Sequence, residues 1–208
     1  MNSQYDVIIV GAGPAGIFTA YELIKNKPEL KILMLEKGPD IYKRKCPKHT
    51  NGGTCVHCNP CNITTGWAGA GAFSDGKLSL SHEVGGTISD YIGVETANEM
   101  IKYADDIYLE FGADPEVHGE IISSAMRGIQ KKSIEANLRL VHCPVRHLGT
   151  EKTQTLYKSL YKHIIEKGVK VLFRSPATDF IFENSSVKGV VVKEKNVFAK
   201  NVVVAVGR

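Results

Sequence analysis

Val7-Ile8-Ile9-Val10-Gly11-Ala12-Gly13-Pro14-Ala15-Gly16 is the stretch that decides the fold. Four apolar, β-branched residues in succession have the pattern of a strand buried on both faces of a parallel sheet. The glycines end that run at once. Ile17, Ala20, Tyr21 and Ile24 then recur at helical spacing as far as Pro28, and Lys31-Ile32-Leu33-Met34-Leu35-Glu36 reads as a second strand. Residues 5 to 36 therefore predict a βαβ unit. Inside it, the GxGxxG run places a task on each glycine. Gly11 allows the tight turn, Gly13 lets backbone approach a pyrophosphate, and Gly16 lets helix and strand pack closely. The helix that follows offers unpaired N–H groups and a partial positive charge to an anion. Glu36, about 20 residues on, ends the second strand where a carboxylate can accept hydrogen bonds from ribose hydroxyls. A glycine-rich turn in some other α/β protein is the competing reading, and the motif alone does not separate FAD from NAD(P).

Composition narrows the setting. The 208 residues suffice for one ample domain or two small ones. With 43% hydrophobic and 23% charged residues, whole-chain disorder is excluded. A formal charge of +4, spread along the chain, argues against a nucleic-acid or acidic-membrane partner. The N-terminus lacks the positive n-region of a secretory signal, and no run reaches the ~18 apolar residues of a membrane helix, so the expectation is a cytoplasmic protein without a membrane span.

Residues 38 to 88 are rich in Gly, Cys, Thr and Asn and carry little periodicity, and a loop of that length predicts function. A helical stripe runs over 94 to 111, a second helix falls within 120 to 137, and Leu156, Leu160, Ile164 and Ile165 mark a third. Val169 to Phe173 reads as a strand. Ala177 to Phe182, Val187 to Lys193 and Val197 to Lys200 read as three antiparallel strands with turns at 184–186 and 194–196, and Val202 to Val206 as a separate buried strand.

Four of the five cysteines crowd into positions 46 to 61 as Cys46 and Cys55-x2-Cys58-x2-Cys61. Thiolates at this spacing can converge on one ion, tetrahedral zinc or a four-iron cluster, with His49 or His57 able to replace one ligand. A loop of free thiols is the alternative, and spacing does not choose between them. His118, His142, His147 and His163 are scattered and form no triad.

Tyr5-Asp6 through Gly16, followed by Glu36-Lys37-Gly38, resembles the FAD-binding flavoprotein superfamily of the glutathione-reductase type. In that family a meander interrupts the doubly wound sheet and a later strand ends in a small-residue turn, the order of residues 177–200 and 202–207 here. A second glycine cluster, Gly66-Trp67-Ala68-Gly69-Ala70-Gly71-Ala72-Phe73-Ser74-Asp75-Gly76-Lys77-Leu78, resembles the flavin-facing loop of a subfamily of FAD-dependent dehydrogenases of unassigned substrate, and Arg146-His147-Leu148-Gly149-Thr150 matches another of its segments.

The resemblance implies an α/β fold: a doubly wound parallel sheet of the FAD/NAD(P)-binding Rossmann-like type, with a β-meander crossover and a partial helical insertion. Residues 1–88 and 146–208 are expected to form the FAD-binding domain and 89–145 part of a substrate domain. Gly11, Gly13, Pro14, Ala15 and Gly16 would hold the pyrophosphate, Glu36 the adenosine ribose with Lys37 beside it, and Ala177 would meet the adenine. Gly71, Ala72, Phe73, Ser74 and Lys77 would face the flavin, and Ala205 and Gly207 form the turn near it. Arg44 is a candidate phosphate contact, set against a solvated charge run at Lys43-Arg44-Lys45. His147 is the best-placed histidine for proton transfer, although a structural histidine is the plainer reading. Relatives without the four cysteines exist, so the FAD chemistry does not depend on them.

The function expected is an FAD-dependent oxidoreductase exchanging a hydride or electrons between flavin and a small organic molecule. The alternatives are an NAD(P)-dependent enzyme on the same fingerprint, and a fragment that binds FAD without turnover. The last follows because members of the family continue well past the position matching Arg208. A missing C-terminal portion, or self-association through an uncovered Val202–Val206, is expected to accompany it.

Overall fold

The computed structural model describes residues 4–207; Met1 to Ser3 and Arg208, which the reading above touches at the two ends of the chain, lie outside the described residues. In chain order the elements are β1 (Tyr5–Val10), α1 (Pro14–Asn26), β2 (Ile32–Leu35), a short α2 (Pro47–Asn51), a 3₁₀ turn (Gly69–Phe73) and β3 (Lys77–Ser79). They continue with α3 (Ser89–Ile92), α4 (Val94–Glu110), α5 (Ser124–Glu135), β4 (Val145–His147), α6 (Thr150–Glu166), β5 (Lys170–Leu172), β6 (Ala177–Glu183), β7 (Ser186–Val192) and β8 (Lys195–Val204). The fold is the α/β, parallel-rich, Rossmann-like one that the βαβ reading requires.

Two compact units form, one from the described residues of Met1–Ser74 and Thr153–Arg208, the other from Asp75–Lys152. These boundaries differ from the expected 88/89 and 145/146. The second unit gains β3 and β4 because Lys77, Leu78 and Ser79 pair antiparallel with His147, Arg146 and Val145. Three-residue strands of mixed polarity carry no periodic signal of their own.

The first unit is built on a six-stranded sheet in the order β5-β2-β1-β8-β7-β6. β5, β2, β1 and β8 run parallel, and β7 and β6 return antiparallel. Ile8, Val10, Leu33, Leu35, Val190, Val192 and Ala199 form a buried cluster on this sheet. Ile17, Ala20, Tyr21 and Ile24 of α1 are buried at the spacing that marked the helix, and so are Leu156, Leu160 and Ile164 of α6, joined by Tyr157, whereas Ile165 is exposed. Both two-residue hairpin turns, Asn184-Ser185 and Lys193-Glu194, hold positive φ at each central residue. That backbone twist matches the right-handed twist of the strands they join.

The end of the meander corrects the sequence reading. Lys195–Val204 is one ten-residue strand rather than two. Lys195–Phe198 pair with β7, and Ala199, Asn201, Val202, Val203 and Val204 pair with β1. The partner changes between Phe198 and Ala199, and Lys200-Asn201 makes no turn, because neither residue breaks an extended backbone. Nor is the valine run fully buried: Val204 is 55% and Val206 64% exposed. Beyond Phe198, β8 has β1 as its only strand partner among the described residues.

In the second unit, α4 falls on the stripe over 94 to 111 and α5 within 120 to 137, as expected. Ser123 caps α5 by accepting the Met126 N–H. The core of this unit includes a charged pair. Arg146, 3% exposed, donates from Nε and Nη2 to the two carboxylate oxygens of Asp105 at 2.5 and 2.7 Å, and from Nη1 to the Asp114 carbonyl at 2.5 Å. The fork on Asp105 holds the guanidinium above its ordinary pKa despite burial. Among the described residues no helix is long and apolar enough to cross a membrane.

Candidate functional site

Strand β1 delivers the chain into the glycine turn, and close approach explains two of its glycines. A Cβ on Gly11, which has φ +106°, would sit 2.4 Å from the Ala205 carbonyl oxygen, and one on Gly16 would sit 2.0 Å from the Gly11 carbonyl oxygen. Gly16 is thus a packing residue between α1 and the turn and does not reach the cleft. Gly13 differs. Nothing lies within 4 Å of where its Cβ would be, and it lines the cleft. It is also the N-cap of α1 and supplies no side-chain cap, so the helix presents its first amides uncapped.

The cleft above this turn has a volume of about 480 Å³. One side is the fingerprint, Gly11, Gly13, Pro14 and Ala15, and the end of β2 adds Glu36 and Lys37. Thr64, Thr65 and Gly66, then Gly69 and Ala70, form another wall, and Ala205 to Gly207 close the third. Glu36 is buried at 6% exposure and is held at both oxygens: Oε2 accepts the Ala12 N–H at 2.9 Å and Oε1 the Gly38 N–H at 2.7 Å. Each oxygen keeps a second lone pair, so the carboxylate is fixed in place yet can accept further donors. A smaller cavity of about 120 Å³ shares Glu36 and Lys37 and is bounded by Ser175, Pro176 and Ala177. Ala177 therefore lines a cavity that also touches Glu36 and Lys37.

Arg44 does something other than reach into this cleft. Its side chain is 4% exposed and none of it lines the cavity. Nε donates to the Asn62 carbonyl at 2.8 Å, Nη2 to Ile63 at 2.5 Å, and Nη1 to Trp67 and Gly69 at 2.6 and 2.7 Å. The Phe73 ring lies 4.6 Å from the guanidinium carbon. Burial pushes the guanidinium down to about 10, against the attraction of Glu36 and Cys61. Both expectations for this residue, phosphate contact and solvated charge, give way to an internal fork on carbonyl groups.

The second glycine cluster folds back on the first. The Ala68 N–H donates to the Ala12 carbonyl at 2.7 Å and the Trp67 N–H to Pro39 at 3.1 Å. Trp67 is fully buried, and its Nε1 donates to the Tyr157 carbonyl at 2.9 Å. Gly71, Ala72 and Phe73 lie in the 3₁₀ turn, where Ala72 is buried, and Ser74 returns its hydroxyl to the Gly71 carbonyl at 2.9 Å. None of these four is among the cleft-lining residues; Gly69 and Ala70 of the same turn are. Lys77, in the second unit, pairs with Asp75 at 2.9 Å on an exposed surface. His147, in that unit too, is exposed with its ring 6.3 Å from that of His118.

The cysteines do not gather. Cys46, Cys55, Cys58 and Cys61 are all free, and no three His, Cys, Asp or Glu side chains among the described residues are grouped to hold a metal ion. Cys61, exposed, is hydrogen-bonded within its own loop instead. Hydrogen bonds from the Thr64 and Ile63 N–H groups and the Thr64 hydroxyl hold its thiol below the ordinary thiol range, with a smaller contribution from Arg44.

Thr64, Thr65 and the Arg44 fork escape sequence reading. They lie in an aperiodic loop, and the single cue was a lone arginine between two lysines.

A glycine turn leading into an uncapped helix, with a fixed carboxylate at the end of the next parallel strand, defines a dinucleotide-binding α/β protein. Within that class, the FAD binding domain family matches residues 6–208, and the chain belongs to it. An uncharacterized protein of Clostridium beijerinckii is 28% identical over 202 residues, covering 96% of this chain and 30% of that protein. Among solved structures, the 3-ketosteroid-Δ4-(5α)-dehydrogenase of Rhodococcus jostii RHA1 superposes with a TM-score of 0.60 at 16% identity, over 98% of this chain and 46% of that one. The L-amino acid deaminase of Proteus vulgaris does so with a TM-score of 0.56 at 14% identity, over 100% and 48%. The chain spans about a third to a half of the length of these proteins.

Proposed function

We propose that this chain binds FAD in the β1–β2 cleft and forms the cofactor-holding part of an oxidoreductase acting on a small organic molecule. The observation that carries the reading is the pairing of Gly13, open towards the cleft at the uncapped start of α1, with Glu36, whose carboxylate is pinned by Ala12 and Gly38. Amides of the α1 N-terminus would donate to the pyrophosphate. The spare lone pairs of Glu36 would accept the ribose hydroxyls, and the cavity beside Ala177 would take the adenine. Bound FAD supplies the acceptor for a hydride or electrons from the organic substrate. The chain's own part is position and electrostatics.

Membership of the FAD binding domain family supports FAD over NAD(P). The steroid dehydrogenase and the amino acid deaminase that share the fold act on unlike molecules, which supports reading the fold as a cofactor holder and leaving the substrate class open. The absorbance spectrum of purified protein reconstituted with FAD and desalted tests the reading. Retained flavin bands are expected; a colourless protein rules it out. Substrate turnover is proposed only for a polypeptide of the length of these relatives.

A further inference from the structure

The walls of the cleft differ in how they are made. The fingerprint and Glu36 are fixed by regular structure, whereas Thr64-Thr65-Gly66 belongs to a segment without helix or strand. Backbone bonds from Thr65 to Cys61 and from Trp67 to Pro39 help to hold that segment, and Arg44 spans it. Its four acceptors, the carbonyls of Asn62, Ile63, Trp67 and Gly69, lie on both sides of the three wall residues. A single buried fork thus gathers the two flanks and leaves 64–66 as the bridge between them. Gly66 is part of the fit: it has φ +124°, and a Cβ there would meet the Pro39 carbonyl oxygen at 2.6 Å and Arg44 Cδ at 2.9 Å. Thr65 lines the cleft, and its hydroxyl has no hydrogen-bond partner among the described residues. The wall therefore offers a donor opposite the fingerprint.

We propose that Arg44 is a positioning residue for the cofactor: it does not touch the diphosphate, but sets the 64–66 wall that closes over the ADP half of FAD. The proposal rests on the FAD reading above. Lysine keeps the charge and loses the planar fork, and one ammonium cannot serve four carbonyls from the guanidinium's positions. Arg44→Lys therefore separates the fork from mere attraction of an anion.

The test is calorimetric titration of wild type, Arg44→Lys and Thr65→Val with FAD and, separately, ADP, with intrinsic fluorescence recorded on the cofactor-free proteins. Trp67 is the only tryptophan, and its carbonyl is one of the four acceptors, so its emission reports the flank directly. Arg44→Lys is expected to weaken FAD and ADP alike, by about tenfold or more, and to make Trp67 more accessible to acrylamide. Thr65→Val, which leaves the fork untouched, is expected to weaken both ligands with unchanged Trp67 quenching. If wild type binds FAD and Arg44→Lys binds it within twofold, the positioning role is overturned while the FAD reading stands. Should Arg44→Lys not fold, Thr65→Val decides: wild-type ADP affinity overturns the wall. A wild type that binds neither ligand overturns the FAD reading, and the proposal with it.

Discussion

Glu36 shows how one side chain serves both fold and site. Both oxygens accept backbone N–H groups across the turn, and the residue lines the cleft. A glutamine there must turn its NH₂ towards Ala12 or Gly38, setting donor against donor. Glu36→Gln is expected to cost about 1–3 kcal/mol of stability in denaturant titration and to weaken FAD by about tenfold or more; wild-type values for both would contradict the role. Cys61 yields a pH prediction of definite sign. Donors from Ile63 and Thr64 favour its thiolate, so its alkylation by iodoacetamide, followed by mass spectrometry, is expected to reach half-maximal rate below the pH of an ordinary thiol. Thr64→Val removes one donor and should move that midpoint up. Gly11, Gly13, Gly16 and Glu36 are legible in the sequence because their tasks are local to one βαβ unit. Arg44 is not, since its acceptors lie about 18 to 25 residues away in a loop whose path no periodicity reveals. The cysteine spacing suggests a shared centre; the loop spends Cys61 on its own turn instead.

At the scale of elements, close approach of α1 to the glycine turn sets the cleft. A methyl at position 16 would lie 2.0 Å from a backbone oxygen that cannot give way cheaply. Gly16→Ala is therefore expected to destabilise by about 1–3 kcal/mol, measured by denaturant unfolding, and a neutral effect would contradict the packing role. In the second unit the charged core pair makes a different demand. Arg146→Ala leaves Asp105 buried without its fork, a loss of about 3–5 kcal/mol, whereas an apolar pair in place of both recovers much of it. Chemical denaturation of Arg146→Ala, Asp105→Leu and the combined Arg146→Met/Asp105→Leu protein checks this; no recovery in the double variant would contradict it. Helices α1, α4 and α6 are legible because each carries a stripe at helical period. β3, β4 and the continuity of β8 are not. Two are too short for a pattern, and the third depends on pairing partners far apart in the chain.

For the whole molecule, the central claim is that the fingerprint cleft is where FAD binds. The fold class was legible from the first 36 residues, since strand, glycine turn, helix, strand and terminal acid occur in one order with one physical solution. The division into two units was not, because it turns on the β3–β4 pair. Gly13 gives the most direct measurement. A side chain there meets no protein atom within 4 Å and projects into the cleft, and the backbone at φ −74°, ψ 179° is extended and open to any residue. Gly13→Leu should therefore keep the fold and fill the pyrophosphate position. Titrated with FAD side by side, wild type is expected to bind saturably and Gly13→Leu, with unchanged circular dichroism and melting temperature, at least about tenfold more weakly. Equal FAD affinity in the two proteins would contradict the account.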